Sequence, residues 1–108
     1  MLNINKTVEN QSAVVSLEGR LDTVTAPELE NDLQELLPGL TELKLDFANL
    51  DYISSAGLRV LLATQKIMDK QGEMTLTNVS EAVMEIFEVT GFTDIFRFSS
   101  LYNPAVGR

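Results

Sequence analysis

The 108-residue chain contains no histidine and no cysteine. It therefore cannot assemble a Ser–His–Asp or Cys–His catalytic arrangement, or a metal site built on imidazole or thiolate ligands. Lysine can replace histidine as a base, but Lys66 and Lys70 follow the best nucleophile candidate, Ser55, by about three helical turns or more, beyond hydrogen-bond reach. We therefore expect a protein that is not an enzyme and that uses no metal and no cofactor.

Long apolar runs and signal-peptide features are also absent. No apolar run reaches the roughly 18 residues that cross a bilayer, and the first ten residues, MLNINKTVEN, lack the basic and apolar blocks of a signal peptide. The six glycines form neither of the common nucleotide-binding patterns, GxGxxG and GxxxxGK followed by serine or threonine. These absences predict a cytoplasmic protein without membrane insertion.

Basic side chains are few, since 8 Lys and Arg stand against 16 Asp and Glu and give a formal net charge of −8. Such a surface repels nucleic-acid phosphates and anionic lipids, so direct nucleic-acid binding is not expected. A protein partner with a basic face fits this charge better. Alternatively, the acidity only keeps a small domain in solution.

The first part of the chain predicts a hairpin and a helix. Residues 3–8 and 12–18 alternate apolar and polar side chains on either side of a short polar turn, which favours an antiparallel pair of strands. Thr25 and Glu28 then have the spacing of a capping box, and leucines at helical spacing follow until the Pro-Gly pair at 38–39.

The second part predicts strands and helices in alternation. Residues 42–47 alternate like a strand and lead, through Asn49, to a helix over about Ser55 to Lys70, for which Gly72 is the expected C-terminal cap. A strand over 74–78 and a helix over 81–90, placed between a capping serine and a glycine, follow. The helix that starts at Ser55 has an apolar stripe that should face the sheet: Gly57, Val60, Leu61, Thr64, Ile67 and Met68.

A hairpin followed by alternating strands and helices is typical of the α/β class. We expect a mostly parallel sheet with the helices mainly on one face. With 44% hydrophobic residues in 108, the chain suffices for one core. The predicted organisation is one domain over residues 1–98 and a short C-terminal tail over residues 99–108.

Two serines, Ser54 and Ser55, stand where the third strand meets the second helix. The first amides of a helix have no internal acceptor and attract anions, so a serine there serves as a cap, a nucleophile or a phosphate acceptor. Leu58 and Leu62 lie off the predicted apolar stripe. They therefore either pack against a neighbouring helix of the domain or belong to a partner-binding surface beside the serines.

The motifs, taken together, resemble those of the STAS domains, and in particular the bacterial anti-sigma factor antagonists. The segment Gly19-Arg20-Leu21-Asp22 is similar to the family's G-x-(L/I)-D, and LDFANLDYISSAGL is similar to its D-L-s-x-(M/L)-D-S-(S/T)-G-L. VSEAVMEIFEVTGFTDIFRF is similar to its closing helix and strand. The resemblance covers nearly the whole chain and implies a single STAS-like domain.

The resemblance implies that Ser55 is phosphorylated by a partner, an anti-sigma factor with ATP-dependent serine kinase activity, and that the unphosphorylated protein binds this partner. Ser54 replaces the motif aspartate and is a second candidate acceptor, and a serine phosphatase is a further candidate partner. Asp22 is expected near the site, or alternatively only opens the turn before the first helix. Asp51 and Tyr52 are candidate partner contacts because they border the serines.

Two functions stay open at this point. The first is an anti-sigma factor antagonist that a phosphate on Ser55 switches off, because phosphate adds about −1.5 to −2 charges beside Asp51 and Asp22. The second is a STAS module without phosphorylation, a scaffold or binding subunit of a transport or signalling assembly. The replacement of the motif aspartate by Ser54 favours the second.

Overall fold

The alternating segments form five strands, and three helices connect or follow them. The computed structural model describes residues 1–99. In chain order the elements are β1 (Leu2–Glu9), β2 (Ser12–Leu21), α1 (Ala26–Leu36), β3 (Glu42–Ile53), α2 (Ser55–Gln71), β4 (Glu73–Thr77), α3 (Glu81–Thr90) and β5 (Arg97–Ser99).

The strands form one sheet in the order β1-β2-β3-β4-β5. The predicted hairpin is confirmed, since β1 pairs antiparallel with β2, and every other neighbouring pair is parallel. The predicted α/β class is therefore confirmed, with a mixed sheet in which only the first pair is antiparallel.

One face of the sheet is buried and the other is largely open. Strand β2 shows the alternation: its residues Ala13, Val15 and Leu17 are buried. Val14, which lies between the first two, and Glu18, which follows Leu17, are exposed. The helices pack on the buried face, where the rings of Phe47 in β3 and Phe87 in α3 stack with centroids 6.3 Å apart. This arrangement confirms that the helices lie mainly on one side.

Two irregularities in β3 extend the strand as far as the serines. Its pairing with β2 shifts register twice, so that β3 has an extra residue at each shift. The buried residues of β3 are spaced by two up to Phe47 and by three from there to Leu50 and Ile53. Each extra residue turns the next apolar side chain back to the core, which is how a bulge acts. The strand therefore continues from the alternating residues 42–47 through Asn49 to the serines, as predicted.

The buried face of helix α2 differs from the predicted apolar stripe at two positions. Ile67, predicted to face the sheet, is 43% exposed, while Gln65 is buried. Gly72 follows the helix, but with φ 173° it is extended rather than left-handed. A β-carbon on Gly72 would instead collide with the Thr41 carbonyl, whose oxygen accepts a hydrogen bond from the Glu73 amide at 3.0 Å. Gly72 is the C-cap of α2, as predicted, and its amide donates a hydrogen bond to the Met68 carbonyl at 2.7 Å, but the close approach of the Thr41 segment is what requires a glycine there.

The last elements agree with the sequence prediction. Ser80 caps α3 through a hydrogen bond that its hydroxyl oxygen accepts from the Val83 amide, and Gly91 ends the helix in the left-handed conformation with φ 80°. Of the predicted tail over 99–108, only Ser99 falls within the described residues, as the last residue of β5. The rest of that prediction lies outside them.

Candidate functional site

The ends of β2 and β3 bring the candidate residues together. Leu21 and Ile53 are paired in parallel register, and the Ser54 amide donates a hydrogen bond to the Leu21 carbonyl at 2.9 Å. Asp22 and Ser54 therefore leave the sheet side by side, and Ser55 begins α2 immediately afterwards. In the chain, Ser54 and Ser55 follow Asp22 by 32 and 33 positions. The parallel pairing of β2 with β3 brings the three residues to the same edge of the sheet.

The two serines have different structural roles. Ser54 is the N-cap of α2, because its extended backbone leads into the helix and its hydroxyl oxygen accepts a hydrogen bond from the Gly57 amide at 3.4 Å. Ser55 is the first helical residue and is exposed, and its hydroxyl has no hydrogen-bond partner within residues 1–99. Of the two candidate acceptors, Ser55 is therefore the one whose hydroxyl is available.

Helix α2 starts close against the sheet because residue 57 is glycine. A β-carbon there would lie 2.6 Å from Leu21 Cγ and 2.9 Å from Ile53 Cγ1, which is far inside van der Waals contact. The absence of a side chain therefore sets how near Ser54 and Ser55 come to the ends of the two strands.

The Asp22 carboxylate organises the turn between β2 and α1. Its Oδ1 accepts hydrogen bonds from the Val24 and Thr25 amides, both at 3.0 Å. The bond from the Thr25 amide, followed by those from the Thr25 hydroxyl and the Val24 amide, holds the pKa of the Asp22 carboxyl below its ordinary value, while desolvation acts in the opposite direction. The prediction that Asp22 opens this turn is confirmed by these contacts.

The predicted capping box of α1 is wrong in its chemistry. Thr25 precedes the helix, but its side chain makes no cap hydrogen bond. The one hydrogen of the Thr25 hydroxyl is instead shared between the Arg20 carbonyl at 2.8 Å and Asp22 Oδ1 at 3.1 Å, and the hydroxyl oxygen accepts from the Asp22 amide at 2.8 Å. Thr25 has a helical backbone conformation, with φ −91° and ψ −18°, rather than the extended conformation of a capping residue, so its hydroxyl is not directed at the amides of the first helical turn.

Arg20 is part of the site and was not among the predicted site residues. Its guanidinium carbon lies 4.4 Å from the centroid of the Tyr52 ring, and its Nε lies 3.8 Å from Asp22 Oδ2. Arg20 and Tyr52 face each other across β2 and β3, while Asp51 is exposed at a register shift. The signal that pointed to Arg20 was its place within the Gly19–Asp22 motif.

The two leucines of α2 differ in accessibility. Leu58 is only 3% exposed and belongs to the core. It packs inside the domain, so its prediction as a partner contact is wrong for this conformation. Leu62 is half-buried and keeps part of its side chain at the surface. Its role as a partner contact stays a prediction.

A groove between α1 and α2 opens beside Ser55, and sequence patterns did not reveal it. Its volume is about 410 Å³, and it is lined by Thr23, Ala26, Pro27, Glu30, Ala56, Arg59, Val60 and Ala63. Val24, in the turn that Asp22 organises, is 78% exposed. Apolar surface bordered by polar side chains is typical of a protein-binding site.

Two further observations concern metal binding and membrane spanning. Within residues 1–99, no three Asp or Glu side chains are grouped so that they could hold a metal ion. The helices found in that same range are all too short or too polar to span a membrane.

Comparisons with known proteins point to one family. The family model described as "Mlab, STAS domain" matches residues 4–99. The candidate anti-sigma factor antagonist BtrV of Bordetella bronchiseptica is 40% identical over 85 residues, which are 77% of this chain and 73% of that protein. The anti-sigma-B factor antagonist of Bacillus subtilis strain 168 is 33% identical over 102 residues, 92% of this chain and 94% of that protein.

A solved structure shows the same fold. The crystal structure of an anti-sigma factor antagonist from Mycobacterium paratuberculosis superimposes with a TM-score of 0.83 and covers 97% of this chain and 89% of its own. At 23% sequence identity, this likeness concerns the fold alone.

Proposed function

The chain belongs to the STAS domain family, and we propose that it is an anti-sigma factor antagonist whose binding to its partner is switched by phosphorylation of Ser55. The unphosphorylated protein binds an anti-sigma factor that is also an ATP-dependent serine kinase. Phosphate on Ser55 releases that partner, and a serine phosphatase restores binding.

The observation that supports this proposal best is the different use of the two serines. Ser54 caps α2, whereas the Ser55 hydroxyl is exposed and unpaired within the described residues. A kinase needs an accessible hydroxyl, and Ser55 offers one without breaking a contact of the fold.

The charges around Ser55 give a physical reason for release. Asp22 and Asp51 already place negative charge near the start of α2, and the whole chain has a net charge of −8. Phosphate adds about −1.5 to −2 charges and three strong acceptor oxygens at the same place. A partner surface that fits a neutral hydroxyl there would then face a desolvated dianion, which is unfavourable.

The proposed partner surface includes Ser55, the exposed Val24, the half-buried Leu62 and the groove between α1 and α2. Asp51 and Tyr52 border it on the β3 side. Leu58 is left out because it is buried. That the chain has no catalytic activity of its own is part of the proposal, and its argument is the lack of histidine and cysteine.

The test is a capture experiment with wild-type, Ser55→Ala and Ser55→Asp proteins immobilised and exposed to lysate of the source organism without ATP. Asn31→Asp adds the same charge at an exposed position of α1 and serves as the matched control. We expect wild type, Ser55→Ala and Asn31→Asp to retain an ATP-binding serine kinase that Ser55→Asp loses. Equal retention by Ser55→Asp would contradict the switch.

A second candidate function is a STAS scaffold or binding subunit that is not phosphorylated. The presence of Ser54 where the motif has aspartate, with its hydroxyl used as a helix cap, favours it. In that case all four immobilised proteins would retain the same transport or signalling component. Incubation with ATP and the lysate would then leave Ser55 unmodified by mass spectrometry.

A further inference from the structure

Among residues 1–99, two arginines belong to elements that meet at Ser55, Arg20 to β2 and Arg59 to α2, and they differ in what they contact. Arg20 is held between the Asp22 carboxylate and the face of the Tyr52 ring. Arg59, in α2, is exposed and has no carboxylate within 4.0 Å and no side-chain hydrogen bond among residues 1–99. A change in the position of the Arg20 side chain would break its ion pair with Asp22 and its contact with the Tyr52 ring. The Arg59 side chain can change position without breaking an ion pair or a side-chain hydrogen bond within residues 1–99.

Helix geometry places Arg59 within reach of residue 55. The two residues are separated by four positions in α2, so their side chains lie on the same face with β-carbons about 6 Å apart. Long side chains in a helix point back toward its N-terminus, which directs the Arg59 guanidinium toward the turn that begins with Ser55. An ion pair four positions apart in a helix is more stable when the anionic residue is the one nearer the N-terminus. A phosphate on Ser55 paired with Arg59 has this order.

Arg59 also lines the groove between α1 and α2. Among the lining residues, Glu30 of α1 is acidic and Arg59 is basic, and the others are neutral. The Arg59 guanidinium is therefore available there to a carboxylate of a partner. A guanidinium that turns back toward the N-terminus of α2 to pair with a phosphate on Ser55 commits a bidentate pair of its N–H donors and most of its charge there, and moves away from the part of the groove where a partner carboxylate would meet it.

We propose that phosphate on Ser55 binds the Arg59 guanidinium, so that phosphorylation withdraws Arg59 from the groove and from an acidic side chain of the partner. This proposal rests on the proposed function, because it presupposes that Ser55 is phosphorylated. It adds a second reason for release, since the partner loses an ion pair in addition to meeting the phosphate charge.

The test uses the full chain with phosphoserine installed at position 55 by genetic code expansion, so neither kinase nor partner is needed. The second pKa of the phosphate is followed by phosphorus NMR during a pH titration. Arg59→Gln should raise this pKa by about 0.2 to 0.4 units, since an ionic partner that favours the dianion is removed. Lys66→Gln, about 16 Å along the helix, should leave it unchanged within about 0.1 units because of distance and screening.

The charged groups of the elements that surround the start of α2 are, apart from Arg59, the same in both proteins. Asp22, Asp51 and Glu30 raise the phosphate pKa, and Arg20 lowers it. The difference between Arg59→Gln and the unaltered phosphoprotein therefore reports the contribution of Arg59.

A second measurement separates direct pairing from a general charge effect. In nitrogen–proton spectra, the Arg59 Nε–Hε signal should shift and its hydrogen exchange should slow when phosphate is present, whereas the Arg20 signal should stay in place. An unmoved Arg59 signal, or a larger pKa shift in Arg20→Gln than in Arg59→Gln, overturns the proposal.

The outcomes also distinguish this proposal from the proposed function. If the phosphate and Arg59 pair but no kinase of the source organism modifies Ser55, the switch fails and the pairing stands. If Ser55→Asp loses the partner but Arg59→Gln leaves the phosphate pKa and the Arg59 signal unchanged, the switch stands and the pairing fails.

Discussion

The hydroxyl oxygen of Ser54 lies 3.4 Å from the amide nitrogen of Gly57 and accepts its hydrogen bond. Ser54 thereby satisfies one of the amides that a helix start leaves without an internal acceptor. Because this capping is done by Ser54, the next residue, Ser55, is not needed for it. The division between a structural serine and an exposed one is the basis of the first prediction.

Ser54→Ala should lower the free energy of unfolding by about 0.5 to 1 kcal/mol, since the cap hydrogen bond is long and at the weak end of its range. Ser55→Ala should change it by less than about 0.5 kcal/mol. Urea unfolding followed by circular dichroism measures both values. With lysate and ATP, Ser54→Ala should still be phosphorylated and Ser55→Ala should not. Phosphate incorporated into Ser55→Ala would identify Ser54 as the acceptor.

Gly57→Ala tests how the start of α2 packs. Helix propensity alone predicts that this change stabilises the protein by about 1 kcal/mol. We expect the opposite, a loss of about 1 to 3 kcal/mol, because the new methyl group overlaps Leu21 and Ile53. Thermal and urea unfolding give the sign directly. A stabilised variant would mean that α2 is not held against the two strand ends as described.

Gln71 joins the end of α2 to the connection between α1 and β3. Its Nε2 donates hydrogen bonds to the carbonyls of Leu37 and Leu40, both at 2.7 Å. Gln71→Ala should cost about 1 to 3 kcal/mol, because it leaves two partly buried carbonyls without a donor. The neighbouring exposed residue provides the control, since Lys70→Ala should cost less than about 0.5 kcal/mol. Similar unfolding midpoints for the two variants would show that these bonds contribute little.

Asp22 predicts a pH dependence of stability. Its folded pKa is lowered, chiefly by the hydrogen bond from the Thr25 amide, so the folded state favours the ionised carboxylate. The resulting stabilisation is fully present above the unfolded value of about 3.9 and is lost as the pH falls through the lower folded pKa.

The measurement for Asp22 compares the wild type with Asp22→Asn. The difference in their free energies of unfolding should be constant between about pH 5 and 7 and should shrink as the pH falls below about 4. A difference that stays constant down to pH 2.5, or grows on acidification, would contradict the lowered pKa.

Helix caps and turns are local signals, and they predicted the helices and strands whose ends are set by residues close in the chain. Ser80 and Gly91 bound α3 as predicted, because a cap and a left-handed glycine act within one helical turn. The hairpin was predicted for a similar reason, since its strands are joined by a short turn and each carries a clear alternation.

Other features depend on residues far apart in the chain, and sequence patterns did not indicate them. Thr25 matches a capping pattern, yet its hydroxyl bonds to the β2 end instead. Gly72 is the predicted C-cap of α2, yet the reason it must be glycine is the Thr41 backbone, 31 positions away. Sequence patterns left two alternatives open for Leu58, packing inside the domain or a partner surface, and the structure decides for packing, because α1, α2 and the sheet together enclose more of the helix than one face.

The sequence by itself determined the class of fold, the positions of most elements and the serine pair, because periodicity, caps and motifs are properties of neighbouring residues. Only the tertiary structure decided which serine is free, that Arg20 contacts both Asp22 and Tyr52, and that a groove opens beside Ser55. These depend on the parallel pairing of β2 with β3 and on the packing of α1 against α2. Such long-range contacts are set by the whole core, so no local pattern records them.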